Sequence, residues 1–249
     1  MGKLHLALQA LYPGIPLSLP YYKTTIMSAT LIDAVRSAFT VDIQNKMSIL
    51  LGEKEENINR ALQGAIPLVL IDILHKSYYP EPTAKVWELS RQATSGDFFG
   101  EMHELSISSG GLVPGSVLLN RGTDYAKALL TTRFDSVVAE IARYAGISLP
   151  SAGFITGVVS FATLDAIGRH IAMYNADASG LSLWVRTQIE SIRPATPASL
   201  QVRTALGLQH YPWEAPARRS RNTALYVVLL LLIIGAGIFF LYQDRKSVV

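Results

Sequence analysis

The sequence predicts an all-α protein: two loosely repeated helical units forming one bundle, followed by a C-terminal transmembrane helix. Three observations lead there. Apolar residues recur at three- and four-residue spacing through most of residues 28–193, the period of a buried helix face. The landmarks Phe39, Gly52, Gly64, Asp72 and Lys76 have counterparts at Phe134, Gly146, Gly157, Asp165 and Arg169 with spacings that agree within one residue. Between Arg221 and Asp244 the chain carries no charge. A helix from Ala224 to Tyr242 rises about 28 Å, close to the ~30 Å of bilayer hydrocarbon.

Residues 1–26 hold Pro13, Pro16 and Pro20 and no sustained period. They are expected to be a disordered extension, or upstream of a true start at Met27, because the short apolar run after Lys3 has no small-residue cleavage site. The helical domain is then placed at 27–194, with units at about 28–92 and 117–193. In the first, Leu31, Val35, Ala38 and Phe39 mark a short helix. A second runs from Val41 to Leu51 and stops at Gly52, a residue suited to a left-handed turn. A third spans Glu53–Lys76, acidic in its first turn, basic in its last, and apolar nearly all round from Ala65 to Leu74. Pro67 removes one backbone donor there. Tyr79 to Pro82 reads as a break, Thr83–Gln92 as a weaker helix anchored by Trp87, and the Gly- and Ser-rich 95–116 as a linker.

In the second unit Ser148 and Pro150 form a good helix start. Phe154, Ile155, Val158, Val159, Ala162 and Ile167 form its buried face. A further helix is predicted over Leu181–Ile192, ended by Pro194. Residues 195–222, with Pro197, Pro212 and Pro216, read as a semi-extended tether, and Trp213 within it as a candidate for the lipid headgroup layer. The span follows at 223–243 and a short polar tail at 244–249. Ala224, Tyr226, Leu230, Ile234, Gly235, Gly237, Phe240 and Tyr242 are its membrane-anchor positions. The terminal tyrosines suit the headgroup level, and Gly235-Ala-Gly237 leaves a notch where another helix can approach.

Charge divides along the same boundary. Five of the 22 Lys and Arg, but one of the 19 Asp and Glu, lie in residues 218–249. The pI near 9.1 therefore reflects Arg218, Arg219, Arg221, Arg245 and Lys246 rather than a basic body. That distribution argues against nucleic acid as a partner. Three basic residues precede the span and two follow it, which leans toward a cytoplasmic body with the C-terminus outside. With no cysteine, disulfides, thiolate nucleophiles and Cys-ligated zinc are excluded. No Asn-x-Ser/Thr sequon occurs, in keeping with a chain that meets no glycosylation machinery.

Two motif groups carry a resemblance. Leu31-Ile-Asp-Ala-Val, Leu50-Leu-Gly-Glu53 and Ala61-Leu-Gln-Gly-Ala-Ile-Pro67 resemble the opening of the bacterial YidB-like helical proteins, the family called domain of unknown function 937. Val137-Val, Gly146-Ile-Ser148, Ala178-Ser-Gly-Leu181 and Gln188 are similar to its closing segment. The resemblance covers residues 28–200. It implies an all-α fold in a bacterial protein and supplies no catalytic residue, while the C-terminal span assigns the chain to the bacterial inner (cytoplasmic) membrane. Several members place a peptidoglycan-binding domain after a transmembrane helix; this sequence stops six or seven residues beyond its span. Asp72 and Asp165 stand where the family pattern has a small residue.

No catalytic, cofactor-binding or metal-ligating set is therefore assigned. Asp72 and Asp165 are the sharpest chemical candidates, as a general acid and base, but each has a basic residue four positions on and reads first as a helix ion pair. His5, His75, His103, His170 and His210 lack metal-ligand spacing; His75 and His170 are placed to cap helix carbonyls. The glycines follow helices and no Gly-Lys-Ser/Thr occurs, against nucleotide binding. The expected function is a non-enzymatic, membrane-anchored interaction module whose partners are lipid and another protein or a second copy. The alternatives are an enzyme using the Asp72/Asp165 pair on an envelope substrate and a small single-span subunit of a larger membrane complex.

Overall fold

Ten α-helices and one 3₁₀ turn make up the regular structure of a computed structural model that describes residues 30–94 and 117–214. The N-terminal extension, the 95–116 linker, every membrane-anchor position from Ala224 to Tyr242 and the basic flanks Arg218, Arg219, Arg221, Arg245 and Lys246 lie outside the described residues. In chain order the helices are α1 (Leu31–Ser37), α2 (Val41–Leu51), α3 (Glu55–Lys76), α4 (Pro80–Thr94), α5 (Val117–Leu130), α6 (Phe134–Ala145), α7 (Leu149–Tyr174), α8 (Ala178–Thr187), α9 (Ile189–Ile192) and α10 (Val202–Leu206). The 3₁₀ turn, Thr131–Arg133, joins α5 to α6.

Local chemistry sets the helix ends. Thr30, Thr40 and Ser148 cap α1, α2 and α7, each side-chain oxygen accepting from the backbone N–H three residues on. Gly52 (φ +65°) and Gly146 (φ +70°) end α2 and α6 in the left-handed conformation, as their positions predict. The loop before α4 is shorter than expected. Pro80 opens that helix, where its missing N–H would have had no partner anyway. The helix expected over Leu181–Ile192 is instead two, α8 and α9, parted at Gln188. That residue's side-chain oxygen accepts from Leu31 N at 3.0 Å, so the end of the fold caps its beginning.

α7 is the axis of the fold, with α1, α3, α4, α5 and α6 packed around it. It is long and apolar enough to cross a bilayer by length and composition, yet 89% of its apolar window is buried by protein. Two of its hydroxyls are consumed internally, Thr156 donating to the Ala152 carbonyl and Thr163 to that of Val159, while the buried Ser160 Oγ has no partner among the described residues. Two glycines bring neighbours to backbone distance. A Cβ on Gly157 would lie 2.9 Å from the Gly122 carbonyl carbon of α5, and one on Gly168 would overlap the Ser90 carbonyl of α4. Gly64 of α3 likewise faces the Tyr144 ring, 2.8 Å from where its Cβ would stand. In α3 every residue from Ala65 to Leu74 is buried, as its all-round apolar pattern predicts.

The reading of residues 195–222 as a semi-extended tether needs correction over 195–214. Leu200, Val202, Ala205, Leu206 and Leu208 are buried, and α10 lies on α6. Polar contacts hold the segment down. Ser136 Oγ donates to the Ala205 carbonyl at 2.8 Å, Arg143 to the Ser199 carbonyl at 3.0 Å, and Gln201 N to Glu140 Oε1 at 2.7 Å. Burial pushes Glu140 up, but its bonds from Arg143 and Gln201 outweigh this and hold the carboxyl below its ordinary 4.5. A five-residue helix is too short to show a period, which is why the sequence alone reads here as spacer.

Gly168→Ala is expected to cost about 1–3 kcal/mol or more through overpacking. Gly153→Ala, on the same helix but facing open space, is expected to stabilise by about 0.4–1 kcal/mol. Urea unfolding of the two variants checks the contrast.

Candidate functional site

The densest buried charge in the described residues sits at the C-terminal end of α3. Asp72 has no solvent exposure. One turn on, Lys76 donates from Nζ both to Asp72 Oδ2 and to the Leu129 carbonyl at the end of α5. From the 3₁₀ turn, Arg133 Nη1 reaches the other oxygen, Asp72 Oδ1, at 2.7 Å. Each carboxylate oxygen therefore meets its own cation, and three chain segments are tied at one point. Burial lowers the pKa of Lys76, with Asp72 opposing and Arg133 adding to the shift. The turn that presents Arg133 starts at Thr131, a β-branched residue held at φ +53°, a conformation such residues rarely adopt.

Asp165 differs. It holds Arg169 Nε at 2.9 Å on α7, and the Arg169 side chain is 58% exposed. Both aspartates thus pair with the basic residue four positions on, as the spacing predicts. Asp72 acquires a further cation, Arg133, from elsewhere in the fold. Nothing in those contacts joins Asp72 to Asp165, and a carboxylate with both oxygens bound to cations and no access to water is poorly placed to move a proton.

Beside Lys76 lies a cavity of about 220 Å³, walled by Val86, Leu89, Ala128, Leu129 and Thr131. It falls below the roughly 300–1,000 Å³ of small-molecule pockets. Among the described residues no group of three or more His, Asp or Glu is arranged for a metal ion.

His75 and His170 do not cap carbonyls. His170 stacks on Trp184, centroids 3.6 Å apart and planes within 11°, while His75 leans on Tyr79 at 5.4 Å. The Lys76 carbonyl goes instead to Thr83 Oγ1 at 3.0 Å. Burial lowers both imidazoles below 6.5, and for His75 Arg133 and Lys76 push further down while Asp72 opposes. Trp87 and Trp184 are anchors as expected, Trp87 Nε1 donating to the Ala176 carbonyl at 2.9 Å. Trp213, read as a headgroup-layer candidate within the tether, stacks on Tyr211 at 4.7 Å and packs against the body.

Arg133 is the residue sequence reasoning missed. It lies 61 positions from Asp72, so no local spacing connects them. The Glu140–Arg143 pair, also absent from the sequence reading, acts as a second clamp, holding residues 199–201.

No family model, curated protein or solved structure matches the chain. The resemblance to the YidB-like proteins stands on its motifs alone.

Lys76→Ala is expected to cost about 3–5 kcal/mol, because it takes a partner from a buried carboxylate. Arg169→Ala, which takes a 58% exposed guanidinium from the largely buried Asp165, is expected to cost less, about 1–3 kcal/mol; chemical denaturation distinguishes them. Histidines whose folded pKa lies below the unfolded value bind fewer protons than the unfolded chain, so stability falls as pH drops through about 6.5. Thermal melts between about pH 7 and 5 should slope less steeply for His75→Asn/His170→Asn than for the parent.

Proposed function

We propose that this chain is a membrane-anchored, non-enzymatic helical module that binds another protein or a second copy at a bacterial inner membrane. The observation that carries the reading is the uncharged run from Ala224 to Tyr242, flanked by Arg218, Arg219 and Arg221 on one side and Arg245 and Lys246 on the other. Such a run is long enough to span hydrocarbon, and it lies C-terminal to a folded helical body. In this reading the body is one bundle of two loosely repeated units, cytoplasmic, with the C-terminus across the membrane.

The chemistry of the body supports a binding rather than a catalytic role. Its most buried carboxylate, Asp72, is committed to Lys76 and Arg133, the arrangement of a structural clamp. An enzyme using Asp72 with Asp165 needs both groups facing one water-filled cleft, and the burial of Asp72 gives that alternative no support.

After cell breakage and ultracentrifugation the full-length protein should sediment with membranes, resist high salt and alkali, and dissolve in detergent. Recovery in the supernatant free of lipid would overturn the anchor and with it the module. Crosslinking in intact cells, read by mass spectrometry, should then join the helical body to a second polypeptide.

A further inference from the structure

One end of the body carries exposed aromatic rings, and it is the end from which the chain leaves toward the proposed span. Tyr78 and Tyr79, just past α3, are 42% and 51% exposed. The Tyr78 hydroxyl donates to the Pro212 carbonyl at 3.4 Å, which seats the Tyr211–Trp213 stack beside them. Two guanidiniums lie on these rings: Arg186 over Tyr78 at 4.5 Å and Arg203 over Tyr211 at 5.9 Å. Neither has a carboxylate partner among the described residues. The acid on this face, Glu214, is taken up by Tyr211 N at 2.9 Å and stands 3.7 Å from His210 Nδ1.

We infer that this face, Tyr78, Tyr79, Tyr211 and Trp213 with Arg186 and Arg203, rests in the phospholipid headgroup layer of the membrane that holds the span. The inference depends on the anchored reading and adds an orientation to it. Chain length supplies the first argument. Residues 215–223 separate Glu214 from the apolar run. Fully extended, that link reaches at most about 32 Å at ~3.6 Å per residue, so the exit end is held near the bilayer. Arg218, Arg219 and Arg221 lie within the link and draw it toward acidic headgroups.

Chemistry supplies the second. Tyrosine and tryptophan favour the interface because one edge of each ring is apolar and the other bears a hydrogen-bonding group. Arg203, over Tyr211, can meet phosphate without leaving the aromatic surface, whereas Arg186 is held by the Ser77 carbonyl with its Nε buried and keeps the Tyr78 ring in place. The fold then sets the posture. α3, with 22 residues, is about 33 Å long, and its far end carries the α2–α3 and α6–α7 turns. There the Ser148 N–H bonds Glu53 Oε1 at 2.9 Å, and Leu149 is 59% exposed. Docking by the aromatic end holds Leu149 away from lipid.

The absence of cysteine makes the test direct. Spin labels are placed singly at Tyr79→Cys, Trp213→Cys and Leu149→Cys in the full-length protein, reconstituted in nanodiscs of phosphatidylcholine and phosphatidylglycerol. Labels at 79 and 213 should relax with oxygen more than with a water-soluble nickel complex, and the label at 149 should show the reverse. Circular dichroism checks that each variant keeps its helices. The half-exposed position 79 carries the result should replacement of Trp213 unfold the body. If all three labels report water while the protein remains in the discs, the docking is wrong and the anchor survives. If position 149 reports lipid and 79 reports water, the posture is inverted and the inference falls. Failure to enter discs at all overturns the anchored reading and the docking together.

Discussion

At Gly157 and Gly168 the backbone of α7 lies so near α5 and α4 that one methyl group at either position would collide with main-chain atoms. Side chains can repack around an intruding methyl, but backbone carbonyls already committed to helical hydrogen bonds cannot. These two contacts therefore set how closely three helices approach, and the rest of the body accommodates them. α3 and α6 take the remaining sides of α7, and α10 closes over α6. The polar clamps lie around this packed centre, at the end of α3 and on α6. They tie down segments that apolar contact alone would leave loose.

The Asp72 cluster shows why a buried charge here means structure before chemistry. A carboxylate removed from water is costly unless cations and donors replace its hydration. Lys76 and Arg133 do so, and the Leu129 carbonyl takes up a further Lys76 proton. Its excess positive charge also acts outward. His75, already lowered by burial, is pushed further down by Arg133 and Lys76 with Asp72 opposing, and it leans on Tyr79 next to the aromatic end of the body. The clamp and the exposed rings are thus neighbours along α3, one fixing the helix end and the other presenting it.

Length and apolarity do not separate a core helix from a membrane helix. α7 is long and apolar enough to cross a bilayer by length and composition, yet 89% of its apolar window is covered by protein. What distinguishes the two in the sequence is polar content. α7 holds Thr156, Ser160, Thr163 and Asp165 among its buried residues, whereas the C-terminal run has no charge and only its tyrosines as polar groups. Threonine and serine can hide their hydroxyls on the preceding turn, so a core helix tolerates them at little cost.

What the sequence determined by itself is local. Helical class, the cap at Ser148, the left-handed stops at Gly52 and Gly146, the all-round burial of residues 65–74 and the two i,i+4 ion pairs are written in spacing and residue type. Those signals act within one or two turns, where backbone geometry translates spacing directly into proximity. Tertiary structure alone decided the rest: Arg133 on Asp72, Gln188 on Leu31 N, Glu140 on Gln201 N, the stacking of His170 on Trp184, and the return of residues 195–214 to the body. Each joins positions separated by many residues or rests on a segment of one turn. No periodicity reports such contacts, because they exist only once distant helices have been brought together.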